Sequence, residues 1–213
     1  VTSVGWEETL KSGKPLRDDA YPSQLKHSED ENLKLTFNKG ELVAVNGIEN
    51  NPEFNIEVLN ILASAYAICR DIHVGDTIVG IKGRVGFEAA ADLISIKAHH
   101  LLEKHTLTKW QLQHKEYIAS FYGMHLHEGQ YLDPVMRDME SFLQSSQDKV
   151  TGEVTVTLKP YHFDLDGMSS DHDLMSAKFG SYGEDNKGWS AEDAKGFIKI
   201  LGNQNKIYQH VNS

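Results

Sequence analysis

The stretch that decides the fold is 33–47, "LKLTFNKGELVAVNG". In its first half, every second residue is apolar, which is the period of a strand with one buried face. These apolar residues are Leu33, Leu35 and Phe37. A turn sequence, Asn38-Lys39-Gly40, follows, and the second half offers two alternating sets, Leu42 with Ala44 or Val43 with Val45. The pattern predicts a β-hairpin.

Helical signals follow this hairpin. Asn51-Pro52-Glu53 combines an N-cap residue, a proline at the first helical position and an acid in the first turn, and predicts a helix that runs to about Cys69. A second helix is predicted to begin at Glu88, with one apolar stripe. The stripe consists of Ala90, Ile94, Ala98 and Leu101. Two more helices are predicted over 108–122 and 133–143, the last with Pro134 in its first turn.

Two further segments alternate as strands do. "DIHVGDTIVGIKGR" at 71–84 is expected to form strand structure around a Gly75-Asp76 turn. "KVTGEVTVTLKPYHFDLDGM" at 149–168 alternates through Val154, Val156 and Leu158 and predicts a strand that leads to a turn at Asp166-Gly167. After a loop-rich stretch, Ser190 with Asp193 three residues later predicts the start of a terminal helix.

The order of these elements predicts the fold class. Strands, then helices, then strands and a terminal helix indicate an α+β fold, with a mixed or antiparallel sheet packed against several helices. Residues 1–32 are polar and without period, so we expect a connecting segment there and a single domain over 33–213. The chain begins at Val1 with a texture typical of mid-protein sequence, which suggests the C-terminal part of something longer.

Composition excludes some classes of function. The 213 residues carry a net charge of −10, which argues against a general nucleic-acid binder. No window is long and apolar enough to suggest a membrane span. The single cysteine, Cys69, cannot form an internal disulfide and favours a reducing cytoplasm. It lies in an apolar run, so we interpret it as a small buried residue rather than a nucleophile.

One short stretch indicates an anion site. In "IKGRVGFEAA" at 81–90, Lys82 and Arg84 flank one glycine, and a second glycine precedes the helix predicted from Glu88. Glycines permit close approach, a helix start favours an anion, and the cations add charge and directed donors. The stretch therefore suggests a carboxylate or phosphate site. The alternative is an exposed strand end whose cations face solvent.

Metal sites are less well supported. If His125 and His127 lay on a strand, their imidazoles would share one face and form a possible metal pair. No cysteine or carboxylate joins them at a recognised spacing, so ordinary surface or hydrogen-bonded histidines are the better interpretation. Asp164, Asp166 and Gly167 are similar to part of a calcium loop, but the closing glutamate is missing, and a turn fits better. We predict no metal site.

Taken in order, several segments resemble the C-terminal portion of the argininosuccinate synthase family. "LTFNKGELVAVNG" is similar to the family hairpin, and "IVGIKGRVGFEA" at 78–89 to the family's "IGxKSRGxYEx". Three later segments also match in order and spacing. They are "KAHHLLEKHTLT" at 97–108, "QDKVTGEVTV" at 147–156 and "AEDAKGFIKILG" at 191–202.

The resemblance implies a function. The family joins citrulline and aspartate while cleaving ATP to AMP and pyrophosphate, and its enzymes are typically homotetramers. The family's Ser-Gly-Gly-x-Asp-[Ser/Thr] pyrophosphate loop is absent from the 213 residues, so ATP with Mg²⁺ is expected mainly on an N-terminal domain. This chain would then be the synthetase and oligomerisation part, cytoplasmic and inactive alone, with a C-terminal extension for assembly.

The resemblance also implies site residues. Ser3 in "TSVGWEE" matches a serine that the family places on citrulline. Phe87 stands where a tyrosine is expected, and Gly75 where a glutamate is expected, with Asp76 beside it. Lys82, Arg84 and Glu88 match the motif around that site. Two of the three citrulline contacts of the family, the tyrosine and the glutamate, are therefore replaced in this chain. A non-catalytic oligomerisation module and a divergent amino-acid-binding domain remain alternatives.

Overall fold

The computed structural model describes residues 13–76, 80–176 and 188–213, which fall into two units, Val1–Leu174 and Met175–Ser213. Its strands are β1 Glu31–Asn38, β2 Glu41–Val45, β3 Ile48–Glu49, β4 Arg70–Asp76, β5 Lys82–Glu88, β6 Gly152–Lys159 and β7 His162–Ser169. Its α-helices are α1 Pro52–Ser64, α2 Ala90–Thr106, α3 Lys109–His127, α4 Pro134–Gln147, α5 Ala191–Leu201 and α6 Asn203–Asn212. The α+β class is confirmed.

The predicted hairpin is the pair β1–β2. Lys39 and Gly40 form its turn with φ of 49° and 83°, a left-handed conformation that suits the glycine. An irregularity in the β1–β2 register between Thr36 and Phe37 shifts the alternation. As a result the second strand follows neither alternative strictly, because residues of both sets are buried. They are Leu42, Ala44 and Val45.

The main sheet places the first strand at its centre. Its order is β3-β2-β1-β6-β7, and every neighbouring pair is antiparallel. Helices α1 and α2 pack on one face, where the apolar side of each strand meets them. The buried strand residues are Leu33, Leu35, Phe37, Val154, Val156 and Leu158, and the helices contribute Leu59, Ala63, Ala90, Ile94, Ala98 and Leu102. The alternating apolar residues that the sequence predicts to face the core are therefore buried in it.

Helix α1 starts as predicted but ends earlier. The Asn51 side chain accepts a hydrogen bond from the Phe54 amide, and Pro52 occupies the first position. The helix stops at Ser64 rather than near Cys69, because Ala67 and Cys69 adopt left-handed φ of 52° and 60°. The chain turns there so that β4 can begin at Arg70.

The predicted turn at Asp166-Gly167 is wrong. Both residues lie inside β7, and the chain reverses one strand earlier, at Pro160-Tyr161, where Tyr161 has φ of 65°. The amide of Tyr161 donates to the Tyr66 carbonyl at 2.8 Å, which fixes the turn against the end of α1. Asp166 accepts a hydrogen bond from the Thr157 hydroxyl on β6, so its carboxylate is satisfied within the sheet.

Other boundaries also differ from the prediction. Glu88 ends β5 rather than starting a helix, and α2 begins two residues later. The stripe of α2 is buried at Ala90, Ile94 and Ala98, while Leu102, not Leu101, completes it. Helix α3 has the capping box of Thr108 and Gln111 and extends five residues past the predicted end, and α4 extends four.

A buried polar network joins α2 to α3 and α4. The Glu103 carboxylate is fully buried and accepts hydrogen bonds from Lys115 Nζ at 2.8 Å and Gln147 Nε2 at 2.9 Å. Gln147 Oε1 bonds to the His99 ring at 2.9 Å. Burial alone would raise the pKa of Glu103, but the charges of His99 and Lys115 and the two hydrogen bonds hold that pKa below its ordinary value. The network therefore holds an ionised group inside the protein.

The second unit contains α5 and α6. Ser190 caps α5, with a capping box to Asp193, as the sequence predicts. Both helices leave large apolar side chains between 57% and 77% exposed. They are Phe197, Ile198, Ile200, Leu201, Ile207, Tyr208 and Val211. Such a surface is much more apolar than a solvated helix pair requires.

Candidate functional site

The candidate residues lie on the strand pair β4–β5, which forms a two-stranded antiparallel sheet of its own. Because strand residues alternate between faces, the even-numbered positions of β5 share one side. They are Lys82, Arg84, Gly86 and Glu88. Phe87 belongs to the other side. Across the ladder, Asp76 pairs with Lys82 and Gly75 with Gly83.

Glu88 is held by an internal ion pair. Its carboxylate lies 3.5 Å from Arg70 Nε, with side-chain exposures of 5% for Glu88 and 13% for Arg70. The same carboxylate accepts hydrogen bonds from the hydroxyl and the amide of Ser23. Its charge is therefore balanced within the chain.

Arg70 has contacts on several sides. Its guanidinium donates to the Ser23 carbonyl and lies 3.9 Å from an Asp18 oxygen. It also lies over two aromatic rings, 4.9 Å from the centroid of Tyr21 and 5.8 Å from that of Tyr161. These are distances at which a cation is attracted to the ring face. Arg70, on β4, thus contacts both residues 18–23 and the turn between β6 and β7.

Gly86 and Arg84 continue this contact along the strand. A Cβ on Gly86 would lie 3.3 Å from the Ala20 carbonyl oxygen and 3.3 Å from Leu16 Cδ1, so a side chain there would require the segment 14–24 to move by a few tenths of an ångström. Arg84 donates to the Lys14 carbonyl. We call this set of contacts between β4–β5 and residues 14–24 the clasp.

The predicted site residues do not all converge. Lys82 is exposed, Arg84 is half-buried, and Glu88 is part of the clasp on the same face. Phe87 is 37% exposed on the opposite face, where its ring centroid lies 6.4 Å from that of His73. Ser3 and the side chain of Asp76 lie outside the residues that the structure describes. The assignment of all six to a ligand site stays a prediction.

The helix start that the sequence predicts at Glu88 lies two residues later, at Ala90. Ala89 precedes the helix without a capping side chain, and Ala89, Ala90 and Ala91 are each buried. Glu88 itself ends β5, and its carboxylate is engaged by Ser23 and Arg70. The helix therefore does not begin at Glu88, and the anion site suggested for 81–90 stays a prediction.

Comparison with known proteins places the chain in a family. A family model described as "Arginosuccinate synthase C-terminal domain" matches residues 17–208. The chain belongs to the argininosuccinate synthase family. The argininosuccinate synthase of Xanthomonas campestris pv. campestris is 36% identical over 200 residues, covering 94% of this chain and 50% of that protein. That of Dictyoglomus turgidum is 32% identical over 210 residues, covering 95% and 53%.

A more distant relative shows the same extent. The argininosuccinate synthase of Methanocaldococcus jannaschii is 30% identical over 185 residues, covering 87% of this chain and 46% of that protein. This member of the argininosuccinate synthase family thus spans about half the length of the curated relatives it matches. The resemblance found from the sequence motifs is confirmed.

Sequence reasoning missed the clasp. Ser23 and Tyr21 lie in a segment without periodicity, and no local pattern links them to Arg70 or Glu88. The one available signal is Gly86, since a glycine inside a strand marks a bulge or a close backbone approach. In this member of the argininosuccinate synthase family, that approach is made by the segment around Ala20.

The histidine pair is not on a strand. His125 and His127 lie on α3, where residues two apart point to nearly opposite sides of the helix. Within residues 13–76, 80–176 and 188–213, no three His, Cys, Asp or Glu side chains are grouped to hold a metal ion. Among the helices of those same ranges, none has the length and hydropathy needed to cross a membrane.

Cys69 has the environment of an unreactive thiol. It is half-buried, and burial raises its pKa to about 11, with Lys97 and Glu88 acting in opposite directions. At neutral pH the group is therefore a thiol rather than the nucleophilic thiolate. This agrees with its interpretation as a packing residue in the argininosuccinate synthase family fold.

The clasp yields a prediction about stability. We expect Gly86→Ala to lower the free energy of unfolding by about 1 kcal/mol, because the new methyl group is crowded by the Ala20 carbonyl and the Leu16 side chain, both at 3.3 Å. Urea denaturation followed by circular dichroism would measure it. Gly83→Ala is the matched control on the same strand, where an added Cβ meets nothing within 4 Å. Equal effects of the two substitutions would contradict the close approach.

Proposed function

We propose that this chain is the synthetase and assembly half of an argininosuccinate synthase. The complete enzyme would join citrulline and aspartate to argininosuccinate in arginine biosynthesis, with release of AMP and pyrophosphate. The match of residues 17–208 to the family's C-terminal domain carries the proposal. ATP and its Mg²⁺ would bind mainly to an N-terminal domain, in the cytoplasm, so this half alone would be inactive.

The proposed citrulline site lies at β4–β5. Ser3 and Asp76 would contact citrulline, and Lys82 and Arg84 would provide positive charge for a carboxylate or phosphate. Phe87 lies on the opposite face of β5 from Lys82 and Arg84, so its contact with citrulline would be separate from theirs. Glu88 would act differently, because its carboxylate is balanced by Arg70 and Ser23. Its role would be to fix the strand pair to residues 14–24, the segment that leads back toward Ser3.

A homotetramer is proposed for the complete enzyme. The apolar side chains exposed on α5 and α6 support it, since such surfaces are typical of protein interfaces. The same observation favours the second candidate, a module that only assembles and does not catalyse. The two candidates differ in whether the β4–β5 site still binds citrulline.

The test restores the upstream half from the source gene. The full-length protein is assayed for pyrophosphate release from ATP, with citrulline and aspartate omitted in turn. We expect release only when both are present. In the same assay, Ser3→Ala should raise the KM for citrulline about tenfold, the loss of one hydrogen bond to a polar ligand.

Two outcomes would contradict this proposal. No pyrophosphate release from a well-folded full-length protein would exclude the ligase and leave the assembly module. Release with an unchanged KM in Ser3→Ala would keep the ligase but remove Ser3 from the citrulline site. Ser141 lies on α4, outside β4–β5, and its hydroxyl bonds within its own helix, so its substitution by alanine provides the control.

A further inference from the structure

Helices α3 and α4 are attached to the rest of the protein by little apolar contact. None of the 19 residues of α3 is buried, although Leu112 packs half-buried against the core, and α4 buries only Met136 and Ser146 of its 14 residues. Apolar packing is what usually fixes a helix to a core, so a polar contact carries much of the attachment here. We call it the Glu103 cluster. It consists of His99 and Glu103 on α2, Lys115 on α3 and Gln147 on α4.

The direction of the hydrogen bonds in the cluster fixes the proton on His99. The Glu103 carboxylate only accepts, so the amide nitrogen of Gln147, 2.9 Å away, donates to it. The amide oxygen of Gln147 then faces His99 Nε2 at 2.9 Å, and this oxygen also only accepts. Nε2 therefore carries the hydrogen. The other nitrogen of the neutral ring, Nδ1, is unprotonated and lies 3.8 Å from Glu103 Oε1.

An additional proton on His99 has no counter-charge of its own. Glu103 is already paired with Lys115 Nζ at 2.8 Å, so these two charges balance while His99 is neutral. A proton that reaches Nδ1 enters a contact in which the His99 side chain is 21% exposed and the Glu103 side chain is fully buried. Burial, together with the charges of Lys115 and His100, holds the pKa of His99 below its ordinary value, although Glu103 and Gln147 act in the opposite direction.

The groups that act on His99 come from four elements. They are Glu103 and His100 on α2, Lys115 on α3, Gln147 on α4 and the Phe37 ring on β1. His100 differs from His99 because its ring lies between two carboxylates, 3.6 Å from Glu103 and 3.7 Å from the exposed Glu116. A proton on His100 is therefore balanced by Glu116, whereas a proton on His99 is not.

Gln147 has little room to adapt to a second proton on His99. Gly40, in the turn of the β1–β2 hairpin, packs against it so closely that a Cβ there would lie 2.6 Å from Gln147 Oε1. Rotating the amide by 180° would turn its oxygen toward the Glu103 carboxylate, where two acceptors would face each other. The added charge on His99 is thus not relieved by turning this one side chain.

We propose that the Glu103 cluster is a proton-sensitive joint, which releases α3 and α4 from α2 when His99 is protonated. Because the pKa of His99 is lowered in the attached state, its contribution to the attachment is complete above the ordinary value of 6.5 and is lost as pH falls from that value to the attached-state pKa. Glu103 stays ionised at the start of this range, since its own pKa is below its ordinary value of 4.5. This device is separate from the proposed ligase activity and does not depend on it.

Hydrogen exchange of the whole chain at pH 7.5 and pH 5.5 tests the release. Protection factors, which remove the intrinsic pH dependence of exchange, are compared between 109–147 and the strands β1 and β6. We expect protection in 109–147 to fall about tenfold at pH 5.5, because His99 exposed to water binds its proton more favourably by about that factor one pH unit below 6.5. Protection in β1 and β6 should stay the same.

Two matched variants identify the group that responds. His99→Gln removes the titration and keeps a donor for Gln147 Oε1, so protection in 109–147 should be equal at the two pH values. His105→Gln is the control on the same helix, since His105 has a similar side-chain exposure of 24% and bonds to Asp173 rather than to the cluster. We expect it to respond to pH as the wild type does. Thermal unfolding at pH 7.5 checks that both variants are folded.

The proton position on His99 is measured in the wild-type chain and needs no substitution. Long-range correlation of carbon-bound hydrogens with the ring nitrogens by NMR distinguishes a nitrogen that carries hydrogen from one that does not. At pH 7.5 we expect the hydrogen on Nε2. A hydrogen on Nδ1 would contradict the direction of the hydrogen bonds and overturn the proposal, even if His99→Gln failed to fold.

Three results of the exchange experiment would also overturn the proposal. One is unchanged wild-type protection in 109–147, and another is a tenfold fall that persists in His99→Gln. The third is an equal loss of protection in β1 and β6, which would show that the whole unit opens rather than the helix pair. The pyrophosphate assay is a separate measurement, so failure here leaves the proposed ligase activity intact.

Discussion

Lys115→Met should lower the free energy of unfolding by about 3–5 kcal/mol, the largest effect expected in this chain. The substitution removes the ammonium that binds the fully buried carboxylate of Glu103 at 2.8 Å. A buried charge that loses its partner is costly because no water replaces the lost interaction. Urea denaturation at neutral pH would measure the change. Lys104→Met, an exposed lysine on α2, is the control and should change stability by less than about 0.5 kcal/mol.

The pH dependence gives an independent check. The folded pKa of Glu103 is below its ordinary value, so its contribution to stability is complete above that value and is lost as pH falls through the folded pKa. In Lys115→Met the folded pKa should rise, and acid unfolding should begin at higher pH. The double variant Glu103→Leu/Lys115→Met should recover most of the loss, because no buried charge then remains. A double variant as unstable as Lys115→Met would argue that packing, not charge, causes the loss.

Arg70→Ala should lower stability by about 3 kcal/mol and release the segment 14–24. The substitution leaves the Glu88 carboxylate, 5% exposed, without its cation and removes the guanidinium from between Tyr21 and Tyr161. Hydrogen exchange measured by mass spectrometry should show faster exchange in 14–24 and little change in β1 or β6. The free energy of unfolding is measured in parallel.

A surface arginine supplies the comparison. Arg17 pairs with Asp19 at 2.7 Å, but their side chains are 65% and 58% exposed. Exposed ion pairs contribute little, so Arg17→Ala should change stability by less than about 0.5 kcal/mol. If Arg70→Ala left exchange in 14–24 unchanged, the clasp would not be what holds this segment.

The sequence predicts those parts of the fold that depend on neighbouring residues. Asn51 with Pro52, Thr108 with its helix and Ser190 with Asp193 each act within one turn, and all three helix starts are confirmed. The predicted apolar alternation of β1 and β6 is also confirmed, because one face of each strand is buried in the core. Neighbouring residues alone determine the secondary structure where no strong long-range interaction favours a different one.

Long-range contacts explain what the sequence does not predict. Helix α1 ends early, before the left-handed residues Ala67 and Cys69, and the Tyr66 carbonyl there accepts a hydrogen bond from the β6–β7 turn, nearly a hundred residues away. Glu88 lies in a strand rather than a helix, where Arg70 balances its charge and Ser23 donates a hydrogen bond to its carboxylate. For the candidate site, the family motif groups Lys82, Arg84 and Glu88, but the sequence predicts a helix start at Glu88 and does not predict that Ser23 and Arg70 engage it on a strand.

The central position of β1 has a consequence for synthesis of the protein. Its partner on one side, β2, follows at once, but on the other side Leu35 pairs with Val154, more than a hundred residues later. During translation, the backbone N–H and C=O groups on one side of β1 therefore stay unpaired until β6 has left the ribosome. Such unpaired strand edges can pair with other chains. Closing so long a loop also slows folding. Truncations that end before β6 should accumulate as aggregates, whereas loss of residues after β7 leaves this pairing intact.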